Sequence, residues 1–282
     1  MRSESGNTSL AGSAPLSGSA RRSLARAAYL SRSVLLPLLA LVVLALVWEG
    51  SVRLFKLPKF LLPALSVIWV DCLSRIDLVL EHTLATLGTV LVGFALSIAL
   101  SVPLAVLIAS SSLIANAVYP LLVLTQSVPK VALAPILVVA LGAGHTPRLV
   151  VTVLVAFFPL VTSLATGLLT TPPDLVELGR SYSMRWWEEM YRIRLPAAVP
   201  FLFNGLKLAI TFAVVGATVG EFVAADKGLG YQIMAATAFF NTPTAFGALV
   251  ILSLLGIALF QAVVIIERVF FPWSASREVH VR

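Results

Sequence analysis

The sequence predicts an all-α, polytopic membrane protein with about six transmembrane helices and one amphipathic helix in a loop outside the bilayer. Three observations carry this reading. Of 282 residues, 59% are hydrophobic and 12% are charged, about half the charged share of a soluble domain, so the chain cannot clothe a water-compatible surface. Its apolar runs recur at spanning length, about 20 residues at roughly 1.5 Å each. One polar island, residues 177–200 (ELGRSYSMRWWEEMYRIRLPAAVP), interrupts them.

Taken in order, residues 1–33 are rich in Ser, Ala, Gly and Arg and read as a disordered basic tail on the cytoplasmic side. The run 34–47 is followed by Trp48-Glu49-Gly50 rather than a small-x-small cleavage site, which makes it a retained first span and not a secretory signal. Pro58, Pro63 and an amphipathic stretch over 66–80 suit a short helix at the outer interface, so 34–82 forms a first span plus outer segment. Runs at 83–109, 115–142, 149–170, 199–221 and 246–270 complete the six. The third holds Pro120, Pro129, Lys130 and Pro135 and is expected to be kinked or broken. Residues 83–272 thus make the core, with a loop at 171–198, and 273–282 form a second cytoplasmic tail. Twelve Lys and Arg fall in the two tails, in this loop and at Arg268 at the end of the last run, against six in the segments opposite. That asymmetry places both termini and the loop in the cytoplasm.

The same residues exclude several functions. A net charge of +7 comes from short basic flanks and not from an aromatic-interleaved patch, so no nucleic acid is expected. A single cysteine, Cys72, allows neither an internal disulfide nor a thiolate metal cluster. His82, His145 and His280 are far apart in sequence, no H-E-x-x-H occurs, and no lysine stands in a G-x4-G-K-[ST] context. No catalytic, metal or cofactor residue is therefore expected, and the lack of an internal repeat argues against an inverted-repeat secondary transporter.

Within the loop, Thr170-Thr171-Pro172-Pro173-Asp174 ends the fourth span and starts a helix. Leu178, Tyr182, Trp186 and Met190 then recur at every fourth residue as one apolar stripe, with Glu177, Arg180, Glu188, Glu189 and Arg192 on other faces. Such a helix either rests on lipid headgroups or docks a cytoplasmic protein. Polar residues at membrane depth are the pathway candidates, since a charge there costs about 2.5–3.5 kcal/mol on insertion scales. Lys130 either draws an anion or snorkels from a broken helix; Gln126, Asn204 and Thr211 either line a pathway or join helices. Lys207 and Glu221 are expected to anchor opposite ends of the fifth span. Gly216 and Gly220 form a small-xxx-small pair suited to close helix approach, with a second copy of the chain as one candidate partner.

Several segments carry a family resemblance. Glu177-Leu178-Gly179, Ser183 and Leu195-Pro196 fall at the spacing of the E-A-A-x3-G-x11-L-P loop of ABC importer permeases, with Ser183 where that pattern has glycine. Residues 128–135 (VPKVALAP) followed by Gly142-Ala143-Gly144, and residues 220–231 (GEFVAADKGLGY), resemble the nitrate/sulfonate/taurine branch. The resemblance covers roughly 80–270. It implies that Glu177, Leu178, Gly179, Tyr182, Ser183, Trp186, Leu195 and Pro196 form a coupling helix seated on a separate cytoplasmic ABC ATPase dimer, which binds ATP and Mg. It also implies a second permease copy in a homodimer, an extracytoplasmic substrate-binding protein, and residence in a bacterial inner membrane. The cargo implied is a small, anionic nutrient of the sulfonate, taurine or nitrate type, or alternatively a neutral or aromatic one such as a pyrimidine thiamine precursor.

Overall fold

The computed structural model describes residues 35–36 and 39–275. The expectations for the tail at 1–33, for part of the 34–47 run and for 276–282 lie outside the described residues. Two compact units divide at Leu57. In the first, helix α1 covers 39–54 and carries an exposed Glu49–Arg53 ion pair one turn apart, at 2.6 Å.

The second unit holds α2 (Leu65–Ser74), α3 (Ile76–Ser110), α4 (Ser112–Gln126), α5 (Leu133–Leu141), α6 (His145–Leu169), α7 (Pro173–Ser181), α8 (Trp186–Glu189), α9 (Leu195–Ala224), α10 (Leu229–Ala238), α11 (Thr242–Phe270) and α12 (Pro272–Ala275). Among the described residues, four helical stretches are long and apolar enough to cross a membrane: α3, α6, Trp186–Val223 and α11. A fifth arises if α4 and the stretch Lys130–Leu141, bent by 72° to each other, count as one broken span.

That break sits where the sequence places it. Ser127 N–H closes back onto Leu124 O at 3.1 Å, and Pro129 has no N–H with which to continue the helix. Proline also disfavours helical backbone at Val128, so the chain passes through a tight turn at Lys130–Ala132 before α5 begins. The interfacial segment differs from expectation. The helix stops at Ser74 and Arg75 leaves helical geometry, so Ile76–Leu80 opens the long apolar α3 instead of closing an interfacial helix. The sequence reading also missed α10, whose ten residues are too few to display a period.

The core is the α6–α9 pair. Ala156, Leu160, Val161 and Leu164 of α6, with Ala209, Ile210, Ala213 and Ala217 of α9, are fully buried. In lipid such burial gains little from excluding water, so close packing has to hold the pair together. Glycines permit it: a Cβ on Gly216 would lie 2.8 Å from Thr152 Cα, and one on Gly220 2.9 Å from Arg148 Cα. This small-residue pair therefore serves contact between α9 and α6 of the same chain, and the reading in which it meets a second copy is corrected.

Lys207 is likewise no end anchor. It lies buried inside α9 and pairs with buried Glu267 of α11 at 2.9 Å, while Ser274 Oγ donates to the other carboxylate oxygen at 2.9 Å. Two buried charges are tolerated because each has the other.

Candidate functional site

The 171–198 loop is a folded unit. Pro172 and Pro173 open α7, and Asp174 stands in its first turn, where a negative charge complements the helix N-terminus. The helix ends in a Schellman arrangement: Met184 N–H donates to Gly179 O at 3.2 Å and Ser183 N–H to Arg180 O at 2.9 Å. This closure requires a left-handed residue, and Ser183 supplies it at φ 53°. Serine thus makes this bend at the position where the resembled pattern has glycine, at some conformational cost.

After the bend, α8 starts at Trp186, with the Glu188 carboxylate accepting from Arg185 N–H at 2.9 Å. The helix then widens into a π turn over Met190–Arg194 and runs on into α9. Pro196 accounts for the widening, since its ring would crowd the carbonyl four residues back and it offers no N–H.

Three contacts close the unit on itself. Glu189, almost fully buried, accepts from Arg194 Nε at 2.7 Å and pairs with Arg194 Nη2 at 2.6 Å; its second oxygen lies 3.6 Å from Arg180 of α7. Gly179 is buried where α7 crosses the π turn, and a Cβ there would sit 2.6 Å from Ile193 Cδ1. Leu195 packs on the cluster that holds Leu164, Leu168 and Met190.

The expected stripe is corrected by this geometry. The bend at Ser183 breaks its register, so Met190, 4% exposed, points into the core and no longer continues from Tyr182, 73% exposed. The outward apolar surface consists of Leu178, Tyr182, Trp186, Trp187 and Tyr191, with Glu177 exposed beside it. Trp187 and Tyr191 went unnoticed because a single helical period assigns them to other faces.

The pathway candidates fall in two places. Lys130 Nζ reaches Gln126 O at 3.5 Å and lies 4.8 Å from the Phe158 ring centroid, so it caps the broken end of α4 and stacks on α6. Asn204 and Thr211 lie two turns apart on an exposed face of α9, and Thr211 Oγ1 donates to Lys207 O at 3.0 Å. Among the described residues no hydrogen bond or ion pair joins these two places.

A second polar cluster fastens the far end of α9. The first N–H groups of α10 are each received: Gly228 by His82 Nδ1 at 3.1 Å, Leu229 by Thr86 Oγ1 at 2.8 Å and Gly230 by Glu221 Oε2 at 2.8 Å. Thr86 in turn donates to Glu221 Oε2 at 3.0 Å. Gly228, at φ 124°, lets the carboxylate lie against its backbone. Arg148 holds Lys227 O at 3.3 Å, and Lys227 pairs with Glu81 at the surface, a contact that raises the lysine above its ordinary pKa. Glu221 is thus a cap for α10 as well as a residue of α9. The sequence offered no signal for Thr86 or His82, which lie over 130 residues from their partners.

Residues 101–273 match the family described as the inner membrane component of binding-protein-dependent transport systems. The chain is 35% identical over 247 residues to the formylaminopyrimidine transport permease protein ThiX of Halalkalibacterium halodurans, covering 88% of this chain and 99% of that one. It is 22% identical to the taurine transport system permease protein TauC of Escherichia coli, covering 88% and 92%. In fold it is similar to a chain of the MetNI methionine ABC transporter in an inward-facing conformation, with a TM-score of 0.57 over 65% of this chain and 92% of that chain, at 22% identity.

Proposed function

Because the chain belongs to the family of inner-membrane components of binding-protein-dependent transport systems, we propose that it forms the pathway of an ATP-driven importer and is driven through its 171–198 loop. The observation that carries this is the loop's construction. It is clamped internally by Glu189, continuous with α9, and yet leaves Leu178, Tyr182, Trp186, Trp187 and Tyr191 outward. A helix that merely rested on headgroups would need neither the clamp nor a stiff link to a span. A force applied to this surface reaches α9 through Leu195 and Pro196 with little slack.

In this reading the loop and both termini are cytoplasmic. Glu177, Leu178, Tyr182 and Trp186 meet one subunit of an ATPase dimer, which holds the ATP and Mg, while Gly179 and Ser183 keep the seat in shape. A second copy of the chain covers the exposed face of α9 that carries Asn204, Leu208, Thr211 and Val215. A substrate-binding protein delivers cargo from outside.

For the cargo, the gradient of similarity favours a nitrogen heterocycle of the aminopyrimidine class over a sulfonate. The anionic reading follows from the resemblance to the nitrate/sulfonate/taurine branch, and Lys130, the cation that would serve such a cargo, has its ammonium already engaged by a carbonyl and a ring. The test is uptake by the chain reconstituted with its ATPase and binding protein. Glu177→Lys and Gly179→Trp should leave insertion intact and abolish ATP-driven uptake. Normal transport by both variants would reduce the loop to an interfacial helix.

A further inference from the structure

Where the loop joins its two spans there is a cavity of 610 Å³, walled by Thr171 and Leu175, by Arg192 and Ile193 of the π turn, and by Phe201 and Trp273. Its interior is largely apolar. The Trp273 wall is held by an edge-on ring contact with Phe271, 5.2 Å between centroids, and by the Ser274–Glu267 hydrogen bond. Below the rim, exposed Leu169 and Phe201 continue the apolar surface along α6 and α9. With α6 and α9 as spans, the rim lies at the boundary between hydrocarbon and the aqueous side of the loop.

One charge at this rim is unaccounted for. Arg180 and Arg194 share Glu189, whereas Arg192 has no ion pair or hydrogen-bond partner among the described residues. An exposed arginine without a partner among the described residues, lining an apolar cavity that a tryptophan also walls, matches a ligand that is anionic at one end and hydrocarbon at the other. A soluble anion would satisfy Arg192 and leave the apolar walls without a purpose.

We propose that this cavity seats one anionic phospholipid of the leaflet on the loop's side, its phosphate on Arg192 and its glycerol and upper chain against Ile193, Phe201 and Trp273. The proposal rests on the coupling role of the loop argued above. The lipid bridges the π turn, α7 and α9, so it stiffens the joint through which the loop drives its span. Transport then depends on the anionic content of the membrane as well as on ATP.

The test uses the complete importer in vesicles of phosphatidylcholine alone or with added phosphatidylglycerol. Bound phosphatidylglycerol is counted by native mass spectrometry and uptake is measured in parallel. Wild type should retain phosphatidylglycerol about fivefold better than Arg192→Gln, the effect of one basic residue at a membrane surface, and its uptake should rise with that lipid. Arg192→Gln should match wild type in phosphatidylcholine and lose the stimulation. Arg268→Gln, a cationic control at the end of α11, should keep it. Equal retention and stimulation in Arg192→Gln would overturn the proposal, as would an equal loss of uptake in both membranes, which would assign Arg192 to the ATPase contact. Stimulation of wild type by inorganic phosphate in phosphatidylcholine, absent in Arg192→Gln, would assign the site to a free anion and also overturn it. Failure of the coupling reading shows separately, as uptake indifferent to Glu177→Lys in either membrane.

Discussion

Glu189 and Arg194 meet inside the loop through one carboxylate oxygen, at 2.7 Å to Nε and 2.6 Å to Nη2. The two residues are five apart and face each other because the intervening backbone is a π turn; an ordinary helix would splay them. The pair is largely withdrawn from water, so it is stiffer than a surface bridge. It fixes the angle at which the loop enters α9.

Removing one member of this pair should loosen the loop without unfolding the spans. Glu189→Gln leaves two arginines without their carboxylate and should cost about 2 kcal/mol locally. Trypsin cleavage after Arg180 or Arg185 should accelerate and uptake should fall. Adding Arg194→Gln should bring little further loss, because both changes remove the same contact. Additive losses would show that the pair does not act as a unit.

Ser183→Gly should stabilise the protein by about 1 kcal/mol, the order of the left-handed penalty that glycine avoids. The midpoint of thermal unfolding should rise with uptake retained, and Ser183→Val should move it the other way. Glycine with no gain in stability would mean that the turn holds no strain.

The spans were legible because hydropathy is a bulk property of about 20 consecutive residues, and the break at Pro129 because proline acts locally. The loop stood out as a polar island. Its internal geometry did not, for a physical reason: one left-handed residue at Ser183 shifts everything downstream, burying Met190 and exposing Trp187 and Tyr191. Gly216 and Gly220 announced a close approach without naming the partner, since any helix presenting a matching groove satisfies a small-residue face. Thr86 and His82 look like ordinary polar residues in an apolar helix until α10 is brought to them.

Lys207 and Glu267 should behave as a coupled buried pair. Lys207→Met leaves the buried Glu267 carboxylate without its cation and Glu267→Met leaves the buried Lys207 ammonium without its carboxylate, so each alone should reduce the yield of assembled protein. The double change to methionine should recover most of it, because an apolar pair of similar volume replaces two mutually dependent charges. A double variant as poor as either single one would point to a role for the charges beyond holding α9 to α11.

Lys130→Met should leave uptake of a neutral heterocycle near wild type, because the ammonium is spent on Gln126 O and the Phe158 ring. A loss confined to anionic cargo would instead return Lys130 to the pathway, since only an anion gains from the charge.

The central claim is that the outward face of the 171–198 loop seats on the ATPase. It is tested most directly by replacing Tyr182, the most exposed aromatic of that face, with a photo-cross-linking phenylalanine analogue in the intact, transporting complex. The account predicts a covalent adduct with the ATPase subunit whose yield changes when ATP is added. Adducts with lipid alone, in a complex that still transports normally, would contradict it.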